Sequence, residues 1–193
     1  MSRTREFDVE VAVDAALRVF WQKGYEGTSL STLTEALGIN RPSLYAAFGS
    51  KEALFSRAVD RYLASPGAPV TAALSAATAR EVASRMMRFY ADAAGQPHRP
   101  RGCLLVQGAL ACSDESESVK QLLADKRHFG EEALVKRFER ARRDGDLPSG
   151  AKPTDLARYV WTVCQGLAVQ AAGGATPHQL RRVADLAMGA WPS

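Results

Sequence analysis

The chain has little cysteine, little histidine and no long apolar run. Its three cysteines, Cys103, Cys112 and Cys164, are odd in number and lack CxxC spacing. This argues against a zinc site or a secreted disulfide framework and suits a reducing compartment. The three histidines, His98, His128 and His178, fall in no metal-ligand spacing. There is also no GxSxG, HExxH or phosphate-binding glycine loop, so neither an enzyme nor a metal or other cofactor is indicated. No run approaches the roughly 18 apolar residues that span a bilayer. The N-terminus, Met1-Ser2-Arg3-Thr4-Arg5-Glu6, lacks the apolar segment of a signal peptide. A cytoplasmic protein with no membrane partner is expected.

The 193 residues carry 25 Lys+Arg against 21 Asp+Glu, a mildly basic balance. Such a balance suits a polyanionic partner without identifying one. Residues 1–63 hold eight bases and eight acids, so the surplus lies entirely in the remainder. Any contact with nucleic acid must therefore come from local placement of side chains rather than from bulk charge.

Apolar spacing reads as helix almost throughout, with no useful β-alternation, so the fold class is all-α with about nine helices. A first helix over Asp8 to Lys23 places Ala12, Ala16, Leu17 and Phe20 on one face and stops at Gly24. A short second helix follows Thr28-Ser29, carries Leu30, Leu33 and Leu37, and ends at Gly38. Asn40 is placed to cap a third, Arg41 to Phe48, with Pro42 in its permissive first turn. Ser50 caps a fourth. The Ser65-Pro66-Gly67-Ala68-Pro69 stretch marks a hinge, giving two domains, 1–64 and 65–193. Five more helices are expected at about 71–94, 103–113, 116–144, 153–172 and 176–190.

Residues 28–51 have the logic of a helix-turn-helix. Gly38 permits the sharp turn and Ile39 plugs it, while Leu44 and Phe48 support the second helix from beneath. Arg41, Ser43, Ala46 and Ala47 leave its other face small or polar enough for a major groove. The chain here resembles the tetracycline-repressor (TetR) family of bacterial regulators. The resemblance runs through Phe20-Trp21-Gln22-Lys23-Gly24-Tyr25, Thr28-Ser29, Leu33-Thr34-Glu35-Ala36-Leu37-Gly38-Ile39-Asn40 and Leu44-Tyr45-Ala46-Ala47-Phe48-Gly49-Ser50-Lys51. It covers about residues 8–63.

That resemblance implies a dimeric DNA-binding transcriptional regulator, a repressor whose two heads read a near-palindromic double-stranded operator. By motif position, Arg41, Pro42, Ser43, Tyr45 and Ala46 would face DNA, with Arg41 suited to bidentate guanine contact. Thr28, Tyr45 and Lys51 would hold phosphates. Ala46 departs from the bulky aromatic common there, which loosens any preference at that base. The family also implies a small-molecule effector, unidentified here, in the C-terminal domain. Met86, Phe89, Tyr90, Gln107, Phe129, Trp161 and Gln165 are the candidate pocket residues. Helices 153–172 and 176–190, each with a small and apolar face, would join the homodimer. A redox-responsive or ligand-independent regulator working through Cys103, Cys112 or Cys164 stands as the alternative reading.

Overall fold

A computed structural model describes residues 8–64, 69–97, 99–110 and 116–192. His98, Cys112, most of the expected hinge and the end of the helix expected at 103–113 lie outside them. Among the described residues there are ten helices and no strand: α1 (Val9–Lys23), α2 (Leu30–Leu37), α3 (Arg41–Phe48), α4 (Lys51–Ala64), α5 (Pro69–Leu74), α6 (Ala79–Ala93), α7 (Leu104–Leu110), α8 (Glu117–Arg143), α9 (Pro153–Ala172) and α10 (Pro177–Gly189).

Local chemistry sets most of the boundaries. Asp8 caps α1 by accepting from the Glu10 and Val11 amides at 2.9 and 3.2 Å. Ser29, Asn40, Ser50 and Thr78 cap α2, α3, α4 and α6 in the same way. Gly38 closes α2 in the left-handed conformation, φ 67°, which costs a residue without Cβ nothing. Thr176 and Gln179 form a reciprocal capping box ahead of α10.

One helix more than expected arises because the stretch at 71–94 is broken. α5 ends at Leu74, and the Arg137 guanidinium from α8 donates to the carbonyls of Leu74, Ala76 and Ala77 at 3.2, 2.9 and 3.0 Å. The Ala79 amide that opens α6 donates to the Asp146 carboxylate at 2.6 Å. Backbone groups freed by the break thus find partners on distant segments.

Two apolar cores result. One unites α5, α6, α9 and α10 with the C-terminal half of α8, around Met86, Met87, Leu134, Phe138, Val160 and Leu167. The other holds the head, α1 to α4, around Phe20, Leu33, Leu44 and Phe55. Phe20 and Phe55 meet edge to face at 4.9 Å. This second core continues past residue 64: Cys103, Leu104, Leu105, Val106, Val119, Leu123 and Ala168 belong to it. At about 1.5–3 kcal/mol per fully buried large apolar side chain, that shared packing ties the head to α7 and α8. Polar bonds reinforce the junction, from Lys126 to Asp60 at 2.8 Å and from Ser116 to Glu26 at 2.5 Å.

Candidate nucleic-acid interface and effector cavity

The helix-turn-helix is held from within by Leu33 of α2 and Leu44 of α3, both without exposed surface. Phe48 is buried at the end of α3, and the Arg57 guanidinium of α4 lies 5.6 Å from its ring centroid. The opposite face of α3 carries Arg41, Pro42, Ser43, Tyr45 and Ala46, all exposed, so one short helix divides cleanly into a supported and an open side. Tyr45 presents 46% of its surface despite its size. Arg41 makes no ion pair or side-chain hydrogen bond among the described residues, and its guanidinium is uncommitted.

The three residues expected at phosphates sit differently. Tyr45 is open. Lys51, half-buried at the start of α4, rests its Nζ 4.1 Å from the centroid of the Tyr25 ring, a cation–π contact that fixes its direction. Thr28 requires a correction. It has no exposed surface, and its hydroxyl donates to the Gly24 carbonyl at 2.6 Å while its amide donates to Tyr25. With both donors spent inside, Thr28 fastens the turn between α1 and α2. The exposed hydroxyls at this end belong to Ser29 and Ser31, 2.9 Å apart.

On the outer side of the head, Arg61 bonds Asp14 through two nitrogens at 2.7 and 2.8 Å and Glu10 at 3.0 Å. This bidentate pairing clamps α4 to α1.

A cavity of about 10 Å³, room for a single water, lies where the head meets the C-terminal helices. Counted out to solvent, the space is about 260 Å³. Of the expected pocket residues, Phe89 and Tyr90 line it. Met86 is wholly buried in the C-terminal core, and Trp161 is packed there against Gly130. Phe129 is 71% exposed on α8 and is not part of the cavity wall. Gln165 is half-buried away from the wall, and Gln107 stands behind Gly102, its Oε1 2.8 Å from where a Cβ there would fall.

Residues that spacing alone did not suggest complete the wall: Tyr62, Arg99 and Gly102, with Ala93, Ala94, Ala168 and Ala171. The Arg99 guanidinium is stacked 5.0 Å from the Trp21 ring of the head and 5.2 Å from Phe89 of α6. Burial first, and then the neighbouring Cys103, pushes the Tyr62 and Tyr90 hydroxyls well above the usual phenol range; Arg99 opposes the shift. Burial likewise pushes the Cys164 thiol far up. Among the described residues no cluster of ligating side chains could hold a metal ion, and no helix is long and apolar enough to cross a membrane.

Comparison with known proteins agrees with this geometry. The family described as bacterial regulatory proteins, tetR family, matches residues 12–58. The tetracyclin repressor-like C-terminal domain matches residues 79–187. The chain is 31% identical to the HTH-type transcriptional repressor ComR of Escherichia coli over 193 residues, covering 98% of this chain and 91% of that protein. It is also 31% identical to the HTH-type transcriptional repressor BdcR of Escherichia coli, over 96% of this chain and 89% of the relative. A solved structure of a cysteine mutant of the TetR family regulator CifR, complexed with 26-bp double-strand operator DNA, superposes with a TM-score of 0.93. The two are 40% identical over 99% of this chain and 100% of that one. With both its head and its C-terminal helices matched, the chain belongs to the TetR family of bacterial regulatory proteins.

Proposed function

We propose that this protein is a DNA-binding transcriptional repressor that holds a near-palindromic operator as a homodimer and is released by a small molecule in its C-terminal domain. The single observation that carries the reading is the division of α3, with Leu44 and Phe48 buried and Arg41, Pro42, Ser43, Tyr45 and Ala46 exposed. The operator complex of the CifR mutant supports it. Arg41 reads guanine in the major groove, and Pro42, Ser43 and Ala46 pass close to base edges. Tyr45 and Lys51 hold the backbone, Lys51 directed by Tyr25. Two heads roughly 34–36 Å apart meet successive major-groove faces of the same side of the duplex.

The homodimer forms through α9 and α10, where Val169, Val183 and Leu186 stay exposed at 43, 49 and 77%. The protein works in the cytoplasm. The head and the C-terminal helices share one apolar core, so rearrangement around the cavity changes the spacing of the heads. A coupling of about 1–3 kcal/mol would alter operator affinity about 5–150-fold. The test is to select duplexes from random sequence with the full-length protein and footprint the winner. A palindromic site protected over two successive major grooves is expected; no sequence-selective protection would refute the reading.

A further inference from the structure

Four buried side-chain polar atoms lack a partner among the described residues: Trp21 Nε1, Arg99 Nε, Gln107 Oε1 and Trp161 Nε1. The first three gather at one place. Arg99 lines the cavity and stacks on Trp21, and Gln107 stands against Gly102 in its wall. Of the three, Arg99 lines the cavity itself, and a buried guanidinium nitrogen without a partner is costly, so the Arg99 Nε calls for a ligand there. Arg99 has no carboxylate within ion-pair distance among the described residues; its Nη1 donates to Gln96 Oε1 at 3.2 Å, and its guanidinium also bonds the Tyr62 hydroxyl. Among the described residues no acid lines the cavity, whereas two phenols, Tyr62 and Tyr90, do.

We propose that this cavity is an anion site that takes the carboxylate of a short-chain organic acid, with Arg99 as its cation. A single guanidinium with an idle Nε balances one negative charge, and its planar fork matches a carboxylate better than a tetrahedral dianion. The Tyr90 phenol adds an O–H donor, while the Tyr62 proton is committed to Cys103 Sγ. Ala93, Ala168 and Ala171 offer small apolar surface to a tail of two or three carbons. The enclosed centre holds a single water, about 10 Å³, so an acid enters only as the wall opens around it.

The site is wired to the head. Arg99 bridges Trp21 of α1 and Phe89 of α6, and Tyr62 of α4 meets Trp21 edge-on at 4.7 Å. A carboxylate that draws the guanidinium inward takes it off Trp21 and loosens the head from α6. This identifies the chemical class of the effector, and it rests on the ligand-release reading only for the step from occupancy to loss of DNA.

The experiment is calorimetric titration of the full-length protein at fixed ionic strength with sodium propionate, sodium butyrate, propionamide and sodium chloride. Saturable binding of both carboxylates is expected, with none for the amide or chloride. Arg99→Gln should weaken carboxylate binding about tenfold or more, as loss of a charge-assisted pair does. Equal binding of propionamide, undiminished binding to Arg99→Gln, or no saturable carboxylate binding would overturn the site. Should Arg99→Gln lose its helical circular dichroism, Tyr90→Phe carries the test: weaker carboxylate binding supports the site and unchanged binding overturns it. The final arm measures anisotropy of a selected operator duplex as propionate is added. Release supports the whole scheme. Binding without release leaves the anion site standing and refutes ligand release.

Discussion

The Tyr62 hydroxyl, on α4 of the DNA-reading head, donates to the Cys103 Sγ at 3.4 Å, just ahead of α7. Head and C-terminal helices are therefore joined through a phenol hydroxyl that must keep its proton. Burial raises the Tyr62 and Tyr90 phenols above their ordinary 10.0 and the Cys164 thiol above its ordinary 9.0. As pH rises, the unfolded chain gives up these protons first while the folded protein keeps them. The stability they contribute is full below about pH 9 and declines above it. Denaturant midpoints taken at neutral pH and at two points above pH 9 should fall in that order. A flat or rising profile would contradict the burial of these groups.

Arg41→Ala and Tyr45→Ala should each abolish footprinting of the selected operator while leaving the helical content and the dimer intact. Both side chains are exposed on α3, so neither substitution removes core packing. For Arg41 the expected loss is about 1–3 kcal/mol of base discrimination, with specificity relaxed at one position. For Tyr45 the loss should be uniform across sequences, as for a backbone contact. Unchanged protection by either variant would place α3 elsewhere on the duplex.

Thr28→Val tests the opposite kind of residue. Its hydroxyl serves the Gly24 carbonyl inside the fold, so removing it should cost about 1 kcal/mol of stability. Operator affinity, measured well below the unfolding transition, should change little. Full stability combined with a tenfold loss of affinity would return Thr28 to the phosphate role its sequence position suggests.

The contrast between Thr28 and Asn40 shows what was legible in the sequence. Asn40 caps Ser43 three residues on, a contact decided locally, and α3 runs from Arg41 to Phe48 as its pattern indicates. Gly38, Leu33 and Leu44 were readable for the same reason. Thr28 carries the right residue type at the right spacing, yet its burial depends on how the end of α1 folds back. The break between α5 and α6 lay further out of reach. Its carbonyls are satisfied by Arg137 and its first amide by Asp146, both more than fifty residues along the chain. Little of the cavity was visible: of the seven residues expected to line a pocket, Phe89 and Tyr90 line this one. Phe89 and Tyr90 fit the usual apolar lining, but Arg99 comes from a loop and the space itself is left by alanines, which give no positive signal.

Gly130 of α8 should tolerate no side chain. A Cβ there would stand 2.5 Å from Trp161 Cη2 and 2.9 Å from Cζ2, inside the contact limit of an indole that is itself buried. Gly130→Ala should therefore destabilise the protein by about 1–3 kcal/mol, the cost of overpacking, despite the gain in helix propensity. Chemical denaturation checks it, and adding Trp161→Phe should recover part of the loss because the two residues touch. Additive losses in the double variant would mean that the indole is not what the new methyl meets.

The dimer interface calls for a point substitution rather than a truncation. Deleting 153–193 would remove Val160, Cys164, Leu167 and Ala171, which are buried in the core of the protomer, so its effect on assembly could not be separated from unfolding. Leu186 is cleaner. It lies on α10, three residues from exposed Val183, while Leu180 and Ala184 of the same helix face inward. A stable dimer buries roughly 1,200–2,000 Å² in total, and apolar side chains as open as these are what such an interface covers. Leu186→Arg should thus give a folded monomer at micromolar concentration in sedimentation velocity, with unchanged circular dichroism. It should also lose most operator affinity, because a single head makes half the phosphate contacts. A variant that remained dimeric would move the interface off α10, and a monomer that still bound the full palindrome undiminished would show that pairing is not what positions the heads.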